Sequence, residues 1–332
     1  MKKIVFVLFL LLMGSPVMAD FADGEAAFSA KRYSEAMQIF RSLADAGDVR
    51  AQYYVAYMYL NGYGVTKNTS FGLQYLQKSL DQDYHLAQAL MGFLYEQGEV
   101  VPQDYRKAVE LYQKAAEQEN TSAMLNLAVA YYQGNGVPRN LARATELLEK
   151  IPIDVQPAAG RYLGDIYLAQ DIGKANDAIR AYSAAAKAGD LAAYVALAQV
   201  YFNGTGVSTD ADKGLKYYQY AASQGYAPAQ YALGLMYANG KGVSSNVGLA
   251  HAWLSWAASQ NYEPAVTALA QLKTEMTLSD LDQARREFIN IQNNVLGEIS
   301  SPIAEDLKTE QKAKEESAQT KTTTTRRRRR RR

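Results

Sequence analysis

An alanine recurs along this chain at a near-constant interval. It stands at Ala51, Ala87, Ala123, Ala159, Ala193, Ala229 and Ala265, every step being 36 residues except one of 34. A period of this length is one supersecondary unit written repeatedly, and such a unit cannot bury its own apolar face, so neighbours must stack to make a core. Two further columns keep the same period. Eight residues after each of the first six alanines comes a tyrosine: Tyr59, Tyr95, Tyr131, Tyr167, Tyr201 and Tyr237. Five residues after them only small residues occur: Ala56, Gly92, Ala128, Gly164, Ala198 and Gly234. These positions share one face of a 3.6-residue helix, which predicts a helix buried along that stripe. Small residues there let two helix backbones approach closely. A second small column, Gly72, Ala108, Ala144, Ala178, Gly214 and Ala250, predicts a second helix in each repeat.

The segments between the paired helices carry turn chemistry. Asn61-Gly62-Tyr63-Gly64-Val65, Gln133-Gly134-Asn135-Gly136-Val137, Asn203-Gly204-Thr205-Gly206-Val207 and Asn239-Gly240-Lys241-Gly242-Val243 supply glycines that accept the positive φ of a helix C-terminus. Asp104, Asn140, Asp210 and Asn246 follow as N-caps or first-turn residues of the second helices. Two places depart from the pattern. Ile151-Pro152-Ile153-Asp154-Val155-Gln156-Pro157 should shorten the second helix of the third repeat, because proline lacks the backbone donor. The fourth repeat has lost its glycine turn around 169–176.

These motifs resemble the Sel-1-like repeat family, a branch of the tetratricopeptide superfamily. The match is close in Asp104-Tyr105-Arg106-Lys107-Ala108 with Leu111-Tyr112-Gln113-Lys114-Ala115-Ala116, and again in Gly214 to Gly225. The resemblance implies an all-α, right-handed α-solenoid of helix-turn-helix repeats. On this reading residues 20–50 form an N-terminal helical hairpin, 51–264 six repeats, and 265–296 C-terminal capping helices.

The two ends are read apart from the array. Lys2 and Lys3, the apolar run Ile4–Met13 and the small residues up to Ala19 have the layout of a cleaved signal peptide, residues 1–19, which implies export to a periplasm or beyond. That run is too short to span a bilayer permanently, and no transmembrane span is expected after cleavage. From 297 to 332 the chain is rich in Lys, Glu, Gln, Ser and Thr and ends in Arg326–Arg332, a composition expected to be disordered. The arginine run suits an anionic surface or polymer, whereas the body between the ends is mildly acidic, so nucleic acid is disfavoured as a partner.

Sequence signs of chemistry are sparse. There is no cysteine, and the two histidines, His85 and His251, sit in different repeats. No His-Glu-x-x-His, Gly-x-Ser-x-Gly or phosphate-loop spacing occurs. No catalytic residue, metal or cofactor is therefore expected. Binding is the use that suits the architecture, since stacked helix pairs line a long surface with their first helices. By resemblance to tetratricopeptide repeats, the groove positions lie two, six and nine residues after each alanine. They comprise Tyr53, Tyr57, Phe93, Tyr132, Phe202 and Tyr231, with Arg161 and Asp165 in the fourth repeat and Glu96 and Gln199 as single polar interruptions. The expected function is that of a non-catalytic exported adaptor holding a peptide or helix of a protein partner in the bacterial envelope. The alternatives are a secreted factor engaging a host protein, and a cell-wall or β-lactam hydrolase.

Overall fold

The computed structural model describes residues 20–294 and 301–303. The expected signal peptide, and the tail apart from Ser301–Ile303, with Arg326–Arg332 included, lie outside the described residues. Among the described residues the chain is helical with no strand. The described residues divide into two compact units, one running to Leu127 with Asn135–Val137 and one of Ala128–Gly134 with the described residues from Pro138 onward.

The first unit holds α1 (Phe21–Ser29), α2 (Tyr33–Asp45), α3 (Val49–Asn61), α4 (Thr69–Leu80), α5 (His85–Gln97) and α6 (Tyr105–Glu117), and the boundary falls within α7 (Thr121–Gln133). The second holds α8 (Leu141–Glu149), α9 (Pro157–Gln170), α10 (Ala175–Lys187), α11 (Leu191–Asn203), α12 (Ala211–Ser223), α13 (Ala227–Asn239), α14 (Val247–Ser259), α15 (Glu263–Glu275) and α16 (Leu278–Asn294). Successive helices pack as antiparallel pairs, α3 on α4 and α5 on α6 in the first unit, α9 on α10, α11 on α12 and α13 on α14 in the second. This is the all-α repeat fold that the periodicity predicts.

Local chemistry sets the helix ends as expected. Asn68, Asp104, Asn140, Asp210 and Asn246 cap the second helices with their side chains. The backbone N–H of each cap donates at 2.8–2.9 Å to the carbonyl of Tyr59, Tyr95, Tyr131, Tyr201 or Tyr237. The periodic tyrosine thus closes the turn through its backbone, and its ring lies half-buried at the edge of the helix pair. Tyr201, for example, stacks on Tyr217 at 5.8 Å and carries the Lys213 ammonium over its ring. Gly62, Gly98, Gly204 and Gly240 take the left-handed conformation at the ends of first helices. The departures fall where the sequence puts them. Helix α8 has 9 residues where its counterpart α6 has 13, and a 3₁₀ turn at Ile172–Lys174 replaces the missing glycine turn.

The core is the small-residue contact itself. All seven periodic alanines are fully buried. The small residue five positions later, Gly or Ala, has as its counterpart a large residue 20 positions on, or 18 in the shortened fourth repeat. That column reads Leu76, Tyr112, Leu148, Tyr182, Tyr218 and Leu254, all of them buried. A Cβ on Gly92 would lie 2.8 Å from the Tyr112 ring, and one on Gly164 would run into Tyr182, so these two positions have no room for alanine.

Candidate functional site

The groove residues of the first unit lie on α3 and α5. Tyr53 stacks against Tyr57 at 6.3 Å and meets Tyr84 edge-on at 5.9 Å, while Tyr57 lies 5.9 Å from Tyr63. These rings are half-buried, so each contributes to packing and also offers an edge to the outside. Burial pushes the Tyr53 hydroxyl up to about 12, which keeps it protonated. Phe93 stands 45% exposed on α5, a large apolar side chain that packing alone does not explain.

In the second unit Phe202 and Tyr231 come together. With Val195, Gln199 and Leu235 they line a cleft of about 570 Å³ between the exposed faces of α11 and α13. Tyr231 lies edge-on to Tyr262 at 5.6 Å, and the Lys241 ammonium sits over the Phe202 ring at 5.5 Å. The cleft is bounded mainly by aromatic and aliphatic side chains with amides and one ammonium at its rim, a makeup suited to an apolar segment that carries a few hydrogen-bonding groups.

Arg161 and Asp165 do something different from what their groove positions suggest. The Arg161 Nε donates to Asp190 at 3.1 Å, its guanidinium reaches Asp165 at 3.9 Å, and it lies 4.4 Å over the Tyr162 ring. Asp190 also accepts backbone N–H bonds at the start of α11, so Arg161 ties one repeat to the cap of the next. Burial pulls the guanidinium down, but Asp190 and Tyr162 outweigh it and hold it above its ordinary value. The Tyr182 hydroxyl donates to Asp165 at 2.7 Å. Burial pushes the Asp165 carboxyl up, and the bond from Tyr182 and the charge of Arg161 offset only part of that rise. Burial also raises the Tyr132 hydroxyl, helped by the Asp165 charge. Tyr132, Arg161 and Asp165 therefore form one neighbourhood, apart from the Phe202 and Tyr231 cleft.

The polar interruptions of the groove share one cause. Buried Tyr112 donates its hydroxyl to Glu96 at 2.5 Å, Tyr182 donates to Asp165, and Tyr218 is hydrogen-bonded to Gln199. Each repeat with tyrosine in the buried column carries a polar residue on its first helix to meet that hydroxyl. Where the column holds Leu76, Leu148 or Leu254, the corresponding groove positions are the less polar Tyr57 and Leu60, Val129 and Tyr132, Leu235 and Ala238. A buried hydroxyl without a partner is costly, which explains the coupling. The correlation is legible in the sequence, but only once the two columns are known to face each other.

A test separates the charge of Asp165 from its hydrogen bond. A carboxyl held above its unfolded-state value costs stability where it is ionised, fully at neutral pH, and the cost disappears as pH falls below the ordinary carboxylate range. Asp165→Asn, which keeps an acceptor for Tyr182, should therefore melt above wild type at neutral pH and lose that advantage on acidification. Asp165→Leu leaves the hydroxyl unmet and should cost about 1–3 kcal/mol at either pH. Equal melting of both variants across the pH range would remove this account.

The histidines have local partners. His85 opens α5 with its Nδ1 2.9 Å from the Asn120 amide nitrogen, and the Nδ1 of His251 lies 3.3 Å from Ser255 Oγ. Among the described residues no three carboxylate or imidazole side chains converge as a metal would require.

Similarity to known proteins follows the repeat. The family described as Sel1 repeat matches residues 49–84, 85–120, 121–151, 191–226 and 227–262, more than half of the chain. No curated protein is similar enough to match the chain. Among solved structures, c5321, a protective antigen of uropathogenic Escherichia coli strains displaying an SLR fold, superposes with a TM-score of 0.68 at 26% identity, over 85% of this chain and 62% of that one. A Sel1 repeat protein from Oxalobacter formigenes gives a TM-score of 0.63 at 26% identity, over 73% of this chain and all of that one. The chain thus spans less than two thirds of the antigen's length.

Proposed function

Because the chain belongs to the Sel1 repeat family, we propose that it is a non-catalytic scaffold whose first-helix surface holds an extended or helical segment of a partner protein. The observation that carries this reading is the cleft between α11 and α13, about 570 Å³ in volume, lined mainly by apolar side chains together with Gln199, Asn203 and Lys241. Such a surface binds by removing apolar area from water, and its rim sets orientation. The exposed Phe93 and the edges of Tyr53 and Tyr57 offer the same chemistry on the first unit. We place the site of action in the bacterial envelope, on the strength of the Lys2–Ala19 segment. The Arg326–Arg332 run is a second, electrostatic attachment to an anionic polymer or surface. The likeness to a protective antigen favours a second reading, in which the chain is released and engages a host protein.

The test is a photo-crosslinking side chain placed at Leu235 in the cleft and, as a control, at the exposed Lys150. In intact cells Leu235 should yield one protein adduct of reproducible mass that Lys150 does not. The same adducts from both positions, or none from Leu235, would overturn the reading. Fractionation of the adduct with periplasmic or extracellular markers decides between the two sites of action.

A further inference from the structure

One crevice between repeats in the second unit is built unlike its counterparts. After Ala51, Ala87 and Ala229 comes a buried glutamine that accepts from a second glutamine 30 residues on. Gln82 donates to Gln52 at 2.8 Å, Gln118 to Gln88 at 3.0 Å, and Gln260 to Gln230 at 2.9 Å. After Ala193 the position is Tyr194, and its would-be partner Gln224 bonds to Ser223 instead, at 3.3 Å. The amide pair is absent here, as it is where Met124 and Gly160 follow their alanines, but only here does an aromatic hydroxyl take the position. Tyr194 and Tyr220, 4.5 Å apart, form one wall of a cleft of about 540 Å³ that Leu191 and Gln224 also line. The counterpart cleft of the first unit, about 350 Å³, has Gln88 and Lys114 where these tyrosines stand.

Ser301, Pro302 and Ile303 occupy this cleft. The composition assigns them to the tail, yet the Ser301 Oγ lies 2.8 Å from the Tyr194 hydroxyl, and Pro302 and Ile303 are buried, Ile303 to 5% exposure. Ile303 belongs to the same apolar cluster as Tyr194 and Ala186. Chemistry explains the exception: with Ile299 this is the least polar stretch of an otherwise charged segment. The three residues do not fill the space, since the cleft volume is that left around them.

We propose that the Tyr194 cleft is a peptide-binding site for a short segment bearing a hydroxyl, then a proline and a branched aliphatic residue in helical conformation, as Pro302 and Ile303 are. Its own Ser301-Pro302-Ile303 occupies it in cis, and a partner protein's segment of that chemistry takes it when the tail leaves. Tyr194 supplies the hydrogen bond to the hydroxyl. The ring of Tyr220 and the Leu191 side chain receive the proline and the aliphatic group, and proline, whose fixed φ suits a first helical turn, lowers the entropy lost on ordering the peptide. Only Val295–Ser300 separate the cis segment from α16. Because the cis segment is part of the same chain, a free peptide competes poorly until the tail is displaced. The site shares no residue with the cleft between α11 and α13 and goes beyond the function proposed above.

The test uses the full chain and a fluorescent peptide of residues 298–306, read by anisotropy. The peptide should bind the Ser301→Ala, Ile303→Asp double variant at least about tenfold more tightly than wild type. Ser301→Ala alone, which removes only the hydroxyl contact and spares the fold if the double variant does not, should give an intermediate gain. Adding Tyr194→Phe to the variant should weaken the peptide severalfold, and a peptide carrying Ile303→Asp should not bind. Equal binding to wild type and to the opened variants, or no binding to a folded variant, would overturn the proposal and leave Ser301–Ile303 as a structural strap.

Discussion

Gly136→Ala is expected to destabilise the end of the first unit by about 2–4 kcal/mol, the sum of two separate costs. Gly136 has a φ of 74°, a conformation that an alanine adopts only at a penalty of about 1–2 kcal/mol. The second cost is steric. A Cβ there would run into the backbone carbonyl of Tyr105, coming 2.5 Å from its carbon. That carbonyl cannot move aside, because Tyr105 is the first residue of α6 and is pinned between the Asp104 cap and the bond from the Asp104 N–H to Tyr95. Gly64 stands in the same relation to Tyr33, and Gly206 to Ile172. In these three turns the second glycine is therefore where one repeat rests on the backbone of the one before, whereas Gly242 meets the Phe202 ring. Gly47→Ala is the comparison: its φ is 99°, but nothing lies within 4 Å of the added carbon. Thermal melts should show Gly136→Ala falling by roughly 5–15 °C and Gly47→Ala by clearly less. Amide exchange should speed up first in α6 and the turn that holds Gly136. Equal losses in the two variants would mean that the close approach between repeats contributes nothing.

Tyr231→Ala combined with Leu235→Ala is expected to abolish most partner capture while leaving the fold intact. Both side chains line the cleft and are half-buried, with their edges open to solvent, and neither belongs to the fully buried set. Truncating them should therefore cost little stability. Anchors of this kind at the centre of an interface are commonly worth ~2 kcal/mol or more each on truncation. A loss on the order of a hundredfold or more in affinity for the protein captured through Leu235 follows. Phe202 is the less clean choice. Its ring fills the space beside Gly242, so its removal would disturb the turn after α13 as well as the cleft. Titration of the captured partner against wild type and the double variant, with melting curves alongside, is the measurement. A double variant that binds as well as wild type would move the partner to another face.

Much of the candidate surface was legible in the sequence, for a limited reason. Counting from Ala193 and Ala229 places Phe202 and Tyr231 on one first-helix face, where both are half-buried, because helical periodicity maps spacing onto a face. The same counting also proposed Arg161 and Asp165 as groove contacts. Spacing puts them on that face, but it does not show that Asp190 and Tyr182 already engage them. The tail illustrates the same limit. Composition assigns all of 297–332 to a solvated segment, yet Ser301 bonds to Tyr194, 107 positions away, and Pro302 and Ile303 are buried. Averages over a segment cannot register a short apolar stretch that meets a crevice elsewhere.

What the amino-acid order determined alone was everything that depends on near neighbours: the 36-residue unit, its two helices, the Asn and Asp caps, the glycine ends, and the shortening of α8 by proline. Each of these is settled within a few residues by backbone torsion, capping or side-chain spacing. Tertiary structure alone decided which column faces which. From that came the pairing of Gly92 and Gly164 with buried tyrosine rings, the hydroxyl partners Glu96, Asp165 and Gln199, the seat of Gly136 on Tyr105, and the cleft at Tyr194. These contacts join residues 16 or more positions apart, and only stacking brings them within hydrogen-bonding or van der Waals range.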